Sequence, residues 1–200
     1  MVERQLRGRG IEDEGVLGAM GEVPRELFVP EDERGRAYRD GALRIGEGQT
    51  ISQPWIVAFM TSVLELGGDE RVLEVGTGSG YGAAVLSRCC AQVVTIERHR
   101  PLAQAAKRLL ADLGYDNVEV RHGDGAEGAA DRAPFDGIAV TAAATGDPPP
   151  ALLAQLAEGG VLVCPVQRGE REVLRRFRRD GASEALVPVR FVPLLGGSEG

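Results

Sequence analysis

The sequence predicts an α/β fold: a doubly wound, mostly parallel sheet of about seven strands with an antiparallel C-terminal edge, preceded by a helical N-terminal extension. Three observations predict it. From Arg71 onward, short apolar runs alternate with amphipathic stretches, the pattern of buried parallel strands and their crossover helices. The first of these runs feeds directly into a turn with glycine at alternate positions, Gly76, Gly78 and Gly80. The last two runs, Glu172 to Arg178 and Val187 to Leu194, are joined by a connection too short for a crossover, so they are expected to pair as an antiparallel hairpin at the sheet edge.

The elements follow in order. Ile11 to Met20 reads as a short helix with Val16, Leu17 and Met20 on one face. Val23 to Pro30, with prolines near both ends, reads as an irregular connection, and Arg44 to Thr50, with two glycines, as a loop. Ser52 is a good N-cap for the next helix, and Pro54 is tolerated in its first turn because the missing N–H would be unpaired there. Ile56, Phe59, Met60, Val63 and Leu64 form its apolar stripe, and Gly67-Gly68 ends it. Val72 to Val75 is the first sheet strand, Tyr81 to Arg88 an alanine-rich helix, and Val93 to Ile96 the second strand. A further helix is entered at Pro101, carries Leu102, Ala105, Ala106, Leu109, Leu110 and Leu113, and stops at Gly114. Val118 to Val120, Phe135 to Thr141 and Val161 to Cys164 are the next strands, with a helix from Pro149 to Ala157 before the last of them.

Composition bounds the function. The 200 residues fit one domain, 43% are apolar and 26% charged, and the formal net charge of −7 argues against a broad nucleic-acid-binding surface. Cys89, Cys90 and Cys164 show neither an even count nor a CxxC spacing, so no disulfide framework or metal site is expected. The first residues lack the apolar core of a signal peptide, and no apolar run approaches the ~18 residues of a membrane span. A cytoplasmic protein with no membrane association is expected.

The strongest local signal is Glu74-Val75-Gly76-Thr77-Gly78-Ser79-Gly80, after a strand and before a helix. Such a loop lies at the carboxyl edge of a parallel sheet, where ligands bind, and the helix start offers unpaired N–H groups. A dinucleotide fingerprint is GxGxxG; here the third glycine comes one residue early and position 81 is Tyr. This argues against a nicotinamide oxidoreductase, and no GK[ST] phosphate loop is present either. The GxGxG spacing resembles the first motif of class I methyltransferases. Glu97 ends the second strand, about 20 residues on, where a carboxylate can accept both ribose hydroxyls. Asp124, in Gly123-Asp124-Gly125 after the third strand, is placed to accept an adenine amino group.

A more specific likeness covers nearly the whole chain. Val23-Pro24-Arg25 through Phe28-Val29-Pro30, Ala37-Tyr38-Arg39-Asp40, Gly48-Gln49-Thr50-Ile51-Ser52-Gln53-Pro54, the glycine loop with Tyr81, Gly123-Asp124-Gly125, Phe135-Asp136, Val140-Thr141-Ala142-Ala143-Ala144 and Phe191-Val192-Pro193-Leu194 occur in the order in which they stand in protein-L-isoaspartate O-methyltransferases, which this sequence resembles. The TISQP segment is not shared with methyltransferases in general. The resemblance implies a single Rossmann-like methyltransferase domain over residues 1–200, with 1–52 as N-terminal extension and substrate lid and 53–200 as the cofactor-binding core. It implies methyl transfer from S-adenosyl-L-methionine, with S-adenosyl-L-homocysteine as product, to the α-carboxylate of L-isoaspartate in damaged proteins and peptides. The ester then closes to a succinimide that opens partly to normal aspartate.

The resemblance also assigns roles. Ser52 is the catalytic candidate, its hydroxyl positioning the acceptor. Gln49, Thr50 and Ile51 line the substrate side. Glu74, Gly76, Thr77, Gly78, Ser79, Gly80, Glu97, Asp124 and Gly125 hold the cofactor, and no metal is needed. A carboxylate with a pKa near ~4 is already ionised at neutral pH, so no general base is required, and His99 and His122 are expected on surface or loop positions. A monomer is expected. Two departures are visible: Leu195-Gly196-Gly197 follows the FVPL segment where relatives often place a polar residue that helps close the site, and Glu26 stands where many relatives carry His. The alternatives are a class I methyltransferase acting on a small molecule or RNA, and a module that binds S-adenosylmethionine as a sensor without turnover.

Overall fold

The computed structural model describes residues 1–197; positions 198–200, the end of the expected 1–200 domain, lie outside the described residues. The chain opens with a π-helical turn, Val2–Leu6, and a 3-10 turn, Arg7–Arg9. Helix α1 (Glu14–Glu22) follows, starting three residues later than the apolar pattern predicts because Asp13 caps it, accepting from the Val16 N–H at 3.0 Å. Two 3-10 turns, Arg25–Phe28 and Glu31–Arg36, lead to an antiparallel hairpin of β1 (Leu43–Gly46) and β2 (Gln49–Ile51), where the sequence reads as a loop. Helix α2 (Pro54–Ser62) ends before Gly67, because Glu65 takes a left-handed φ of 60°.

The remainder alternates as expected: β3 (Arg71–Val75), α3 (Tyr81–Leu86), β4 (Gln92–Glu97), α4 (Arg100–Asp112), β5 (Val118–His122), β6 (Phe135–Val140), the two-residue β7 (Ala144–Thr145), α5 (Pro150–Ala154), β8 (Leu156–Arg168), β9 (Arg171–Arg178) and β10 (Ser183–Pro188). The main sheet runs in the order β10-β9-β8-β6-β3-β4-β5, with β7 beside β8. Strands β8, β6, β3, β4 and β5 are parallel to one another, and β9 and β10 close the edge antiparallel. From β3 the chain winds outward through β4 to β5 and then returns to place β6 on the other side of β3. The crevice above β3 and β6 is therefore the switch point of the sheet, where an open parallel sheet binds its ligand.

Alternation along the strands divides the core. Val72, Val93, Val161 and Val163 face α1, α2 and α3, together with Leu6, Ile11 and Phe28 of the N-terminal extension. Leu73, Val75, Val94, Ile96, Ile138 and Leu162 face the other way, toward Leu152 of α5 and Phe135. The extension thus belongs to the main core. Among the described residues no helix is long and apolar enough to cross a membrane, and all three cysteines are free and buried.

Candidate functional site

The crevice holds a cavity of about 310 Å³. Its floor is the glycine loop. Gly76, Gly78 and Gly80 take φ values of 98°, 53° and 91°, conformations that side chains with a Cβ rarely adopt. At Gly76 the demand is also steric, since a Cβ there would stand 2.2 Å from Thr141 Oγ1. Thr141, just beyond β6, shares its hydroxyl proton between the carbonyls of Val75 (2.9 Å) and Gly76 (2.8 Å), clamping the loop across the switch point.

Two carboxylates end neighbouring strands beside this loop. Glu97 is 5% exposed, and its oxygens accept from the Gly78 N–H at 2.8 Å and the His99 N–H at 2.9 Å. It ties the loop to the start of α4 and keeps lone pairs free for further donors, since a carboxylate accepts about four hydrogen bonds. Glu74 is buried in the cavity wall, where Thr95 Oγ1 donates to it at 2.6 Å. Thr77 Oγ1 lies 2.7 Å from Thr95 Oγ1 and completes the chain as donor. A Cβ on Gly82 would meet Glu74 Oε1 at 2.2 Å, so only glycine lets α3 settle on this carboxylate. Burial pushes the Glu74 pKa up to about 8, with the Glu97 charge adding to the rise and the Thr95 hydrogen bond opposing it.

The cavity is covered from two directions. The β1–β2 hairpin buries Leu43 and Ile51 and sets Ile45 against Gly78. Its base is tethered through Ala37 to Asp40. Arg25 Nε donates to the Ala37 carbonyl at 2.7 Å, Gln5 Nε2 to the Tyr38 carbonyl at 2.9 Å, and the Tyr38 hydroxyl to the Glu26 carboxylate. Asp40 accepts from Gln53 Nε2 at 2.7 Å and from Arg9 at 2.8 Å. From the other side comes the C-terminal strap, with Val192, Pro193, Leu194 and Leu195 at the cavity wall. It is stitched to the sheet edge by Ala143 N–H to the Val192 carbonyl at 2.7 Å and Leu194 N–H to the Ala143 carbonyl at 2.8 Å. The main chain of the Leu195-Gly196-Gly197 segment that follows FVPL is tied to two side chains. Gly197 N–H donates to Asp124 Oδ2 at 2.6 Å, and Arg98 Nη1 to the Leu195 carbonyl at 2.9 Å.

Ser52 is not the cap of α2. Gln53 occupies that position, and no side chain caps the helix. The Ser52 carbonyl instead accepts from Arg25 Nη2 at 2.7 Å, and no hydrogen bond occupies its hydroxyl among the described residues. Ser52 also lines a second, open groove of about 740 Å³, bounded by Arg9, Trp55, Ile56 and the segment from Pro188 to Val192. Thr50, Ser52, Thr141 and Val192 border both spaces.

Of the expected site residues, Gln49, Thr50, Ile51, Ser52, Glu74, Gly76, Thr77, Gly78, Ser79, Glu97 and Gly125 line the cavity. Gly80 does not; it opens α3 and packs against Leu110. Asp124 stands just outside, its oxygens on the N–H groups of Ala126 (2.9 Å) and Gly197. His122 is exposed, as expected, whereas His99 is half-buried and touches the cavity. Two residues that stand in the quoted family segments were given no role from sequence. Thr141 carries one readable signal, its place directly after the strand beside β3. Arg25 ends the Val23-Pro24-Arg25 segment, but its neighbours give no sign of its role, because its partners Ala37 and Ser52 lie far along the chain.

The family model for protein-L-isoaspartate(D-aspartate) O-methyltransferase matches residues 1–199. A Roseiflexus castenholzii protein-L-isoaspartate O-methyltransferase is 54% identical over 200 residues, covering 98% of this chain and 91% of the relative. A solved protein-L-isoaspartate O-methyltransferase superposes with a TM-score of 0.87 at 32% identity, over 98% of this chain and 66% of its own. A Plasmodium falciparum chain solved in complex with S-adenosyl-L-homocysteine, described as a β-aspartate methyltransferase, superposes at 0.84 with 26% identity, over 97% of this chain and 96% of its own.

Proposed function

The chain belongs to the protein-L-isoaspartate(D-aspartate) O-methyltransferase family, and from that premise we propose that it transfers the methyl group of S-adenosylmethionine to the α-carboxylate of L-isoaspartyl residues in damaged proteins and peptides. The observation that carries the reading is the meeting of the cofactor cavity and the open groove at Ser52, Thr50, Thr141 and Val192. A donor held in one and a peptide held in the other would meet beside these shared residues.

The residues fit the cofactor. Gly76, Thr77, Gly78 and Ser79 line the cavity, and the left-handed φ of Gly76 and Gly78 turns their backbone along its floor, which permits close approach of a ligand. Glu97 has acceptor capacity left and would take the two ribose hydroxyls, and Asp124 with Gly125 would take the adenine amino group. Glu74 borders the remaining wall. When bound, S-adenosylmethionine supplies a methyl group made electrophilic by its sulfonium.

The chain's own task is then positional. The acceptor carboxylate is already ionised, so no proton has to be removed. One of its oxygens forms a bond to the methyl carbon as the carbon–sulfur bond breaks, and the electron pair leaves with sulfur. The unengaged Ser52 hydroxyl would donate to the acceptor and fix its approach, a role supported by its position on both spaces. Main-chain groups of Gln49, Thr50 and Ile51 offer contacts that do not read side chains, which suits damage at varied sequences. The hairpin and the strap exclude water from the transfer line. In this reading residues 1–52 are the extension and lid, and 53–200 the core. We also read the enzyme as a cytoplasmic monomer; three unpaired cysteines support a reducing compartment, and a single chain holds both spaces.

The test is methyl transfer from labelled S-adenosylmethionine to a peptide with one L-isoaspartate, beside the same peptide with normal aspartate. Base-labile label on the isoaspartyl peptide alone is expected. No transfer to either peptide by a chain that binds S-adenosylhomocysteine would overturn the reading.

A further inference from the structure

Arg25 is 0% exposed, yet no carboxylate pairs with it among the described residues. Its guanidinium lies 4.6 Å over the Tyr81 ring, Nε donates to the Ala37 carbonyl and Nη2 to the Ser52 carbonyl, each at 2.7 Å. Nη1 is buried without a partner. An arginine stays charged in proteins, so a full positive charge is held in the core directly behind Ser52. Burial lowers its pKa from the ordinary value, with the facing Tyr81 opposing. A buried charge of this kind is costly unless something compensates it. Two carbonyls and an aromatic face do so only in part.

The placement gives the charge a use. Ala37 and Ser52 are the two ends of the segment that covers the cavity, and one planar fork grips both. Tyr81, on which that fork rests, lines the cofactor cavity. We propose that Arg25 is a positioning residue for the methyl acceptor: it fixes the Ser52 main chain and, through its unneutralised charge, makes that position selective for an anionic carboxylate. This rests on the methyltransferase reading above. The two halves of the proposal separate in kinetics. Methyl transfer consumes the acceptor's negative charge, so a nearby cation favours the bound acceptor more than the transition state and acts on the peptide KM. The rigid grip sets the approach of the reacting atoms and acts on kcat.

Three chains are compared: wild type, Arg25→Met and Arg25→Lys. Each is assayed for methyl transfer to an L-isoaspartyl peptide and normalised to the calorimetric stoichiometry of S-adenosylhomocysteine binding. Arg25→Met is expected to raise the peptide KM about tenfold or more and to lower kcat, with cofactor affinity nearly kept. Arg25→Lys keeps the charge and loses the fork, so KM returns toward wild type while kcat stays low. A purely structural arginine would reduce the folded fraction and leave KM unmoved. A Met variant with full stoichiometry and wild-type KM overturns the proposal. Should that variant not fold, the wild-type chain decides. A peptide with a neutral α-carboxamide in place of the α-carboxylate must compete at least about tenfold more weakly, and equal competition overturns the proposal. An inactive wild type would remove the functional reading as well, whereas an active wild type with either of these results removes the arginine proposal alone.

Discussion

On the sheet side of the cavity, each functional group is fixed by a strand that ends beneath it. On the covering side, each is fixed by side chains reaching across long stretches of sequence. Glu74 and Glu97 occupy the ends of β3 and β4, whose parallel register pairs Glu74 with Thr95, and the glycine loop hangs from the Ile96 carbonyl through the Gly76 N–H at 2.8 Å. Ser52 is held by Arg25, 27 residues earlier, and Asp40 by Arg9, 31 residues earlier. The sheet side is preorganised by the core of the fold. The covering side is a set of separate polar tethers, each loosened by one substitution. Changes on the first side should therefore act on cofactor affinity, and changes on the second on peptide KM and turnover.

The largest effect is expected at Glu97. Glu97→Ala strips the acceptor from two main-chain N–H groups and from the proposed ribose contact, costing about 3 kcal/mol, or ~100-fold in S-adenosylhomocysteine affinity by calorimetry. A variant with wild-type affinity would break the comparison at its strongest point. Ser52→Ala tests the other side. Turnover on isoaspartyl peptide should fall about tenfold with cofactor affinity kept. Because Gln53, not Ser52, caps α2, the melting temperature should stay within about 1 °C of wild type. A large drop in melting temperature with unchanged kcat would assign Ser52 to the scaffold.

The same contrast explains what the sequence made legible. The apolar stripe of α4 and the runs of β3, β4 and β6 are local periodic signals, and they appear where expected. The cavity-lining residues carried by those elements, Glu74, Glu97 and the first part of the glycine loop, were readable for the same reason. The hairpin β1–β2 was not, because its two turn residues, Glu47 and Gly48, have φ of 49° and 68°, and Glu-Gly is a weak form of the signal that Asn-Gly gives strongly. Helix α5 ends at Ala154 although Gln155 to Ala157 read as helical, since Leu156 is drawn into the ladder opposite Phe135. The final strand, expected from Val187 to Leu194, instead spans Ser183–Pro188. Pro188 and Pro193 cannot donate to a ladder, and the apolar run between them crosses to the cavity as the strap. Ser52, expected as a site residue, lines both spaces, but its carbonyl's partner, Arg25, lies 27 residues earlier, beyond any local window.

Glu74 gives a pH-dependent version of the test. Its pKa is pushed up to about 8 in the fold from an unfolded value of 4.5, so between these values the native state binds more protons than the unfolded state. Stability must then fall as pH rises through that window, with the penalty fully developed above pH 8. Glu74→Gln keeps an acceptor for Thr95 and removes the ionisation. The melting temperature of the variant relative to wild type should rise between pH 5 and pH 8.5, by roughly 10 °C. A difference that does not change with pH would mean that Glu74 titrates as an ordinary carboxylate, and the sheet side would be less sealed than its geometry implies.

Asp124 belongs to neither side alone, and the smallest effect is expected there. It follows β5 like the other strand-end carboxylates, yet it is half-exposed, lies outside the cavity lining, and holds the Gly197 N–H of the strap. Water can replace much of what it offers, so Asp124→Ala should cost about 1 kcal/mol in S-adenosylhomocysteine affinity, roughly fivefold, well short of the Glu97 loss. Asp124 also holds the strap through the Gly197 N–H, so the same variant should release the C-terminal segment, measurable as faster hydrogen exchange at Leu194 and Leu195 in the cofactor-free protein. Faster exchange with unchanged affinity would place Asp124 wholly among the covering tethers. A loss equal to that of Glu97 would move it to the sheet side and extend the preorganised wall by one strand.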